Sequence, residues 1–175
     1  MNMPSPWVLR YAPLVPRGRV LDLACGDGRH GRLFLEAGYE VSFVDKDVSG
    51  LADLEGNSAA TLVEHDLEDG SPWPFGEARF SGIVVVNYLH RPLFGPITRS
   101  LAKGGVLIYQ TFMVGNEKYG KPRNPDFLLE YDELLDMFGA SMEVIGFEQG
   151  FLPDPDRMIQ AICVQNEQVY ASTSK

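Results

Sequence analysis

The chain has 175 residues, of which 45% are hydrophobic and 22% charged, and this length and composition suit a single globular domain over residues 1–175. Its 24 acidic and 15 basic residues give a formal net charge of -9, which argues against a nucleic-acid or anionic-membrane binder because such proteins need a basic surface. Two cysteines are too few for a disulfide framework, and neither a signal peptide nor an apolar stretch of membrane-spanning length is present, so we expect a soluble, cytoplasmic protein with free thiols.

Short apolar runs alternate with amphipathic or loop segments, which predicts a parallel sheet with crossover helices. The predicted helices lie near residues 5–12, 29–38, 47–54, 92–102 and 126–138, and the predicted strands cover 19–24, 39–45, 60–66, 80–87, 104–112, 141–149 and 157–165. A short Pro-containing turn joins the last two strands, and since a parallel crossover needs about a dozen residues or more, these two strands should pair antiparallel. The predicted fold class is α/β: a Rossmann-like, seven-stranded, mostly parallel sheet with helices on both faces and a C-terminal antiparallel hairpin.

The segment "LDLACGDGRHG" (residues 21–31) ends the first predicted strand and opens a predicted helix. Its Gly26-x-Gly28-x-x-Gly31 spacing matches the dinucleotide-binding fingerprint. Asp45 follows at the tip of the second predicted strand, where a carboxylate can accept both hydroxyl groups of a ribose. These features suit NAD and other adenosine ligands equally. We expect Gly31 to serve the packing of the helix on the sheet.

The charges around this loop separate the candidate ligands. A dinucleotide places its pyrophosphate at the helix N-terminus, where backbone N–H groups and the helix dipole favour an anion. Here Asp27 stands inside the turn and Asp22 just before it, and both carboxylates oppose a diphosphate. S-adenosylmethionine carries a sulfonium, an ammonium and a carboxylate but no phosphate. We therefore expect the loop to bind S-adenosylmethionine.

The stretch from Asp22 to Gly28, followed by Asp45 and then by Asp66 after the third predicted strand, resembles the class I S-adenosylmethionine-dependent methyltransferases over roughly residues 5–165. Within that superfamily, "GDGRHGRLFLEAGYEVSFVDKD", "VVVNYLHRPL" and "GKPRNPDFLL" are similar to the small bacterial enzymes of the tellurite-resistance and thiopurine-type group. The resemblance implies methyl transfer to a small-molecule acceptor that is anionic or soft, such as a thiol or a chalcogen. We expect no metal, no nucleic-acid or membrane partner, and a monomer or a homodimer.

The resemblance also implies roles for residues at the glycine loop. Gly26 and Gly28 let the backbone approach the methionine part of S-adenosylmethionine, and Asp22 supports its ammonium group from behind. Asp45 takes the ribose hydroxyls, although a purely structural role for this acid is the alternative.

The remaining cofactor contacts implied by the resemblance come from three other places in the chain. Asp66, with the Leu67 backbone, faces the adenine amino group, or else Asp66 only caps a turn. Asn87 lies beside the methyl donor. Trp7 and Arg10 contact the methionine end, or else Trp7 anchors a terminal helix on the sheet. The complete predicted cofactor set is Trp7, Arg10, Asp22, Ala24, Gly26, Gly28, Asp45, Lys46, Asp66, Leu67 and Asn87.

The predicted acceptor site lies at the end of the fourth strand, in "VVVNYLHRPLF". Ligands of open parallel sheets bind beyond the carboxyl ends of the strands, so Tyr88, His90 and Arg91 stand at the right place to meet a methyl acceptor. Our hypothesis is that Tyr88 and Arg91 orient the acceptor, while His90 either positions it or takes its proton. The alternative is that Tyr88 packs and that His90 with Arg91 caps the helix opened by Pro92.

A long segment without a regular pattern, residues 113–125, follows the fifth strand, and such loops often form lids or binding walls. The basic residues that we expect around the acceptor pocket are Arg91, Lys118, Lys121 and Arg123. Two other classes of function stay open. One is a non-catalytic module that binds S-adenosylmethionine. The other is an NAD-dependent oxidoreductase, which we favour less because the chain has no Tyr-x-x-x-Lys motif.

Overall fold

The structure is a computed structural model that describes residues 3–167. Its centre is one seven-stranded sheet with the strand order β3-β2-β1-β4-β5-β7-β6. The strands are β1 Arg19–Leu23, β2 Glu40–Asp45, β3 Ala60–Glu64, β4 Phe80–Val86, β5 Leu101–Phe112, β6 Glu143–Leu152 and β7 Arg157–Gln165. The helices are α1 Pro6–Tyr11, α2 Arg29–Glu36, α3 Phe94–Ser100 and α4 Glu133–Phe138. Short 3₁₀ turns cover Ala12–Leu14, Ser49–Leu54, Arg91–Leu93, Asn116–Lys118 and Pro125–Phe127.

The direction of the strands confirms the predicted fold class. The first five strands are parallel, and β7 runs antiparallel to both β5 and β6. β1 and β4 are neighbours at the middle of the sheet, so the chain winds outward from β1 to β3 and then returns to continue on the other side. Such a switch point opens a crevice at the carboxyl ends of the central strands, where ligands bind in this architecture.

The core consists of two clusters of buried side chains, one on each face of the sheet. Trp7 of α1 and Phe34 of α2 belong to the first cluster, and Ile97 of α3 and Phe138 of α4 belong to the second. Val84 and Val85 of β4 belong to opposite clusters and are both buried, as expected for a central parallel strand. Helices therefore cover both faces of the sheet, as predicted.

Two predicted helix boundaries were wrong. β5 begins at Leu101, which pairs with Phe80 of β4, so α3 ends at Ser100 and the strand is longer than predicted. Residues 128–132 are not helical, because Leu129 forms a bridge with Met113, and α4 begins only at Glu133. The predicted helix near residues 47–54 is a 3₁₀ turn.

Within residues 3–167, none of the helices is both long enough and apolar enough to cross a bilayer. The single-domain organisation, the cytoplasmic location and the oligomeric state stay predictions.

Candidate functional site

The glycine loop connects β1 to α2 at the carboxyl edge of the sheet. Gly26 and Gly28 have φ angles of +54° and +73°, which residues with a side chain rarely adopt. A Cβ atom on Gly28 would lie 2.7 Å from Cδ2 of Leu51, so this glycine is required by packing. A Cβ atom on Gly26 would meet no atom within 4 Å. Gly26 therefore exposes bare backbone to open space, where a ligand can approach it.

Gly31 has the packing role that the sequence predicted. A Cβ atom at this position would lie 2.2 Å from Cε1 of Phe43, a distance that no real contact allows. The absence of a side chain therefore lets α2 approach β2 closely, and this packing holds the start of the helix beside the loop.

Three carboxylates surround the loop. Oδ2 of Asp45 accepts the Gly26 amide at 2.9 Å, which ties the tip of β2 to the loop. Oδ2 of Asp22 accepts the Gly31 amide at 2.7 Å. The pKa of Asp22 is raised to about 7, mainly by burial and in small part by the charges of Asp27 and Asp45, although the hydrogen bond from Gly31 lowers it. The loop is therefore an acidic environment, which suits a cationic group better than a pyrophosphate.

Beside the loop lies a cavity of about 270 Å³, which we call the acidic cavity after Asp45, Asp66 and Glu68 in its wall. Oδ1 of Asp66 also accepts the Glu68 amide at 2.9 Å, so this acid caps a turn and lines the cavity at the same time. Predicted site residues form most of the wall: Ala24, Asp45, Lys46, Asp66, Leu67, Asn87 and Tyr88. His65 and Glu68 complete it.

Two non-glycine residues of this wall have a left-handed backbone. The φ angles are 53° for Ala24, after β1, and 57° for Asn87, after β4. Such conformations cost free energy and concentrate at functional sites. Asn87 is held in place because its amide donates to the Gln110 carbonyl of β5 at 2.9 Å.

Asn87 lines three cavities that meet at the carboxyl ends of β4 and β5. The largest, of about 600 Å³, is the central cavity; its wall includes Ser5, Arg29, Gln110, Asn116, Lys121 and Arg157. A third cavity of about 250 Å³, the apolar cavity, is lined by Leu89, Phe112, Pro122 and Phe127 together with Glu68, Asn87 and Tyr88. The junction at Asn87 is therefore the place where ligands of the different cavities can touch.

Tyr88 lies between the acidic and apolar cavities. Its hydroxyl is buried and has no hydrogen-bond partner among the described residues. Burial raises the pKa of Tyr88, and the charges of Glu68 and Asp66 add to this effect. The hydroxyl therefore stays protonated and keeps a donor that no described residue uses.

His90 lies beside Glu68 and outside the walls of the three cavities. Its ring lines none of the three cavities, and Nδ1 is 3.6 Å from Oε1 of Glu68. Glu68 lines both the acidic and the apolar cavity. The sequence did not single out Glu68, although its place directly after Asp66-Leu67 was an available signal.

The structure assigns Arg91 a different task from the predicted contact with an acceptor. Its Nε and Nη2 atoms donate to the Glu133 carboxylate at 2.6 and 2.9 Å. Nη1 donates to the Asp126 carbonyl at 3.0 Å, and Nη2 also donates to the Leu128 carbonyl at 2.9 Å. Because the guanidinium already binds these groups, Arg91 stabilises the segment before α4. We therefore no longer assign Arg91 to the acceptor site.

Trp7 and Arg10 have their polar partners on the two C-terminal strands. The Trp7 indole is buried and donates to the Ile162 carbonyl of β7 at 3.2 Å, which is the anchoring alternative. Arg10 forms an exposed ion pair with Glu148 of β6 at 2.9 Å. The predicted contact of this pair with the methionine end is therefore not supported, because the sheet already binds both side chains.

The segment after β5, residues 113–125, is packed around the buried side chain of Asn116. Asn116 is buried; its Oδ1 accepts the Met158 amide at 3.1 Å, and its Nδ2 donates to the Pro122 carbonyl at 3.4 Å. Of the predicted basic residues, Lys121 lines the central cavity, whereas Lys118 and Arg123 line none of the three. The other cations of the central cavity, Arg29 and Arg157, were not predicted.

No family model matches the chain. A curated relative, the protein-L-isoaspartate O-methyltransferase of Chlorobaculum tepidum, is 32% identical over 108 residues, which are 59% of this chain and 49% of the relative. The chain thus spans about half the length of the curated relative that it matches.

Solved structures show the fold more completely. The Burkholderia thailandensis 1,6-didemethyltoxoflavin-N1-methyltransferase, solved with 1,6-didemethyltoxoflavin and S-adenosylhomocysteine, is similar with a TM-score of 0.71 and 20% identity, over 93% of this chain and 77% of that one. TehB from Haemophilus influenzae is similar with a TM-score of 0.72 and 17% identity, over 91% of this chain and 61% of that one. The chain therefore has the fold of the class I S-adenosylmethionine-dependent methyltransferases, as its glycine motif predicted.

Proposed function

We propose that the protein transfers a methyl group from S-adenosylmethionine to a small-molecule acceptor. The observation that carries this proposal is the contact between Asp45 and the amide of Gly26, beside a cavity that adjoins the open glycine loop. It joins a ribose-binding carboxylate to a backbone that a ligand can approach.

The donor groups of the site fit this cofactor. Asp45 and Asp66 provide acceptors for the ribose hydroxyls and the adenine amino group, while Ala24, Lys46 and Leu67 form the rest of the adenosine wall. The acidic loop suits the ammonium group, with Asp22 behind it. Arg29 begins α2 directly after the loop and lines the central cavity, so it is the cation nearest in sequence for the methionine carboxylate.

S-adenosylmethionine supplies an electrophilic methyl group on a sulfonium. The task of the chain is to hold donor and acceptor close and aligned in a crevice with little water. Asn87 stands at the junction of the three cavities and fixes the place of contact. The Tyr88 hydroxyl, which has no partner among the described residues, is the group that we expect to donate a hydrogen bond to the methyl donor or the acceptor.

The nucleophile of the acceptor decides whether a base is used. A thiolate or another chalcogen centre attacks without loss of a proton, and positioning alone is then sufficient. An oxygen or nitrogen acceptor has to lose a proton, for which a base typically contributes about 10²–10⁴-fold. Glu68 lines the cavities and His90 lies beside it, so these two groups are the candidates for that proton. We favour the soft acceptor, as the resemblance implies, and small size is consistent with the toxoflavin-type neighbour.

The cofactor assignment is tested by isothermal titration calorimetry with S-adenosylmethionine and NAD. Asp45→Ala should weaken S-adenosylmethionine binding by roughly 1–3 kcal/mol, the effect of leaving hydrogen-bonding groups unpaired. Asp69→Ala is the matched control, because Asp69 is an exposed acid that caps a turn at Ser71 and lines none of the three cavities. Equal affinities for Asp45→Ala and the wild type contradict the assignment, and binding of NAD alone overturns it.

Turnover is tested by release of S-adenosylhomocysteine with a panel of acceptors. The panel holds thiols, chalcogen oxyanions, small phenols and amines, and an isoaspartyl peptide, because the curated relative is named for that substrate. Release with a small acceptor above the background without acceptor supports the proposal. Tight cofactor binding with no release across the panel favours the non-catalytic module, and release with the isoaspartyl peptide alone contradicts the small-molecule acceptor.

A further inference from the structure

The two arginines of the central cavity are half-buried and yet form no ion pair, whereas the other arginines without an ion pair among the described residues are exposed. Ion pairs within residues 3–167 involve Arg10, Arg19, Arg32, His90 and Arg91. Arg29 and Arg157 are half-buried, line the cavity and take part in none of these pairs. Among the described residues, the Arg157 side chain forms a single hydrogen bond, from Nη1 to the Pro155 carbonyl at 2.9 Å. Since the chain has 24 acids for 15 bases, half-buried cations without a carboxylate partner stand out.

A second observation in the same cavity points to a ligand. Gln110, on β5, is 8% exposed, and its Oε1 accepts the Ser5 hydroxyl. Its amide nitrogen has no hydrogen-bond partner among the described residues and, unlike the Tyr88 hydroxyl, is not fully buried, so a ligand in the central cavity can reach it. Gln110 also pairs with Val86 in the sheet and accepts the Asn87 amide, so it lies next to the junction of the cavities.

We propose that Arg157, with Lys121 and the amide of Gln110, binds an oxyanion group of the methyl acceptor, either a carboxylate or a phosphate. Arg29 is set apart for the cofactor by its place at the glycine loop, which leaves Arg157 as the other half-buried cation of the cavity. Gln110 and Arg157 also line a neighbouring cavity of about 300 Å³ beneath α1, which provides room for the body of the acceptor.

Two acids share the wall with Arg157. Asp154 and Asp156 lie on the turn between β6 and β7 and line the central cavity, but neither forms an ion pair with Arg157 or Lys121. Apart from Arg29, which we reserve for the cofactor, the wall has two cationic side chains, Arg157 and Lys121, against these two acids, in a chain whose net charge is -9. This wall is therefore not acidic, although the chain as a whole is, and Arg157 and Lys121 have no carboxylate partner among the described residues that would compete with an anion.

The inference rests on the proposed function, and calorimetry tests the two separately. The probes are benzoate, phenyl phosphate and the neutral analogue benzamide, titrated with and without saturating S-adenosylhomocysteine. We expect benzoate or phenyl phosphate to bind the wild type more tightly than benzamide, and which of them binds better distinguishes a carboxylate from a phosphate. Arg157→Gln should weaken the anion by about tenfold to a hundredfold, the effect of losing a charge-assisted hydrogen bond, and should leave benzamide and S-adenosylhomocysteine unchanged.

Two further variants keep the test decisive. Arg157→Lys retains the charge and should keep part of the anion affinity if Arg157→Gln proves unstable. Arg99→Gln removes an exposed arginine on α3 that lines none of the three cavities, and it should change nothing. Equal binding of the anion by Arg157→Gln and the wild type, or no preference of the wild type for anions over benzamide, overturns the inference. Absence of S-adenosylhomocysteine binding instead counts against the proposed function, and the titrations without it still report on the anion.

Discussion

Asp22 makes the stability of the fold depend on pH. Burial is the main cause that raises its pKa from 3.8 to about 7. Between these two values the folded protein holds a proton that the unfolded chain has released, so the free energy of unfolding falls as the pH rises from about 4 to 7. A shift of this size corresponds to at most about 4 kcal/mol. Asp22→Asn keeps an acceptor for the Gly31 amide and removes the titration.

His30 has the opposite effect on the pH dependence of the free energy of unfolding, and it is therefore a matched comparison for Asp22. It is buried, its Nε2 accepts the Ser5 amide at 3.1 Å, and burial followed by the charge of Arg29 lowers its pKa to about 4. Between about 4 and 6.5 the unfolded chain binds the proton that the fold excludes, so this group makes stability rise with pH. His30→Gln removes that rise.

Both signs are measured by urea unfolding at several pH values between about 4 and 8. The free energy of unfolding of Asp22→Asn minus that of the wild type should increase as the pH rises to about 7. The same difference for His30→Gln should decrease as the pH rises to about 6.5. A difference between Asp22→Asn and the wild type that does not vary with pH would show that Asp22 is ionised in the fold at ordinary values.

At the scale of elements, the segment before α4 is held by Arg91 and Glu133. Burial acts to raise the pKa of Glu133, but the hydrogen bonds from Arg91 and from the Glu130 amide outweigh it and lower the pKa. We expect Arg91→Gln to destabilise the protein by about 1–3 kcal/mol, because the Asp126 and Leu128 carbonyls lose their donor.

A double-mutant cycle with Glu133→Gln measures the coupling between the two side chains, which should be about 0.5–3 kcal/mol. The exposed pair of Arg19 with Glu40, at 3.0 Å, is the control and should couple by about 1 kcal/mol or less. Amide exchange should increase over residues 125–133 in Arg91→Gln, with affinity for S-adenosylmethionine unchanged. Loss of cofactor affinity without faster exchange in this segment contradicts the positioning role.

The elements that the sequence predicted well are those determined by local pattern. β4 was predictable because a strand buried on both faces is a continuous apolar run, and the β6–β7 hairpin because its connection is too short for a crossover. The end of α3 and the start of α4 were wrong because Leu101 and Leu129 pair with Phe80 and Met113. Contacts between residues distant in sequence leave no periodic signal.

The site divides in the same way. The glycine loop and Asp45 follow from spacing within one β-α-β unit, and the structure places them together. Arg91 was predicted in the acceptor site because a basic residue after a central strand suits an anionic ligand. In the structure its partner is Glu133, which belongs to another element of the fold. Gln110 and Arg157 have no motif, and only the antiparallel arrangement of β5 and β7 brings them to one cavity.

At the scale of the whole molecule, the balance of charge differs between the two main cavities of the site. Three acids and one lysine line the acidic cavity (Asp45, Asp66, Glu68 and Lys46), whereas three cations and two acids line the central cavity (Arg29, Lys121, Arg157, Asp154 and Asp156). Carboxylates and a bare glycine backbone suit the adenosine and ammonium groups, and the cations suit carboxylates. Both ligands of the proposed reaction are therefore matched in charge within a protein whose net charge is -9.

The same distribution of charge predicts that the protein does not bind nucleic acid. Four arginines are paired with acids, namely Arg10, Arg19, Arg32 and Arg91, and three more cations face the central cavity. Binding to a phosphate backbone needs an open basic surface, and a net charge of -9 repels the polyanion. In a gel shift at about 150 mM salt, we expect no complex with duplex DNA or structured RNA at protein concentrations below about 1 μM, while a basic DNA-binding domain of similar size shifts the same probes. A shift that weakens steeply as salt increases would identify a phosphate-binding surface and contradict a small-molecule acceptor.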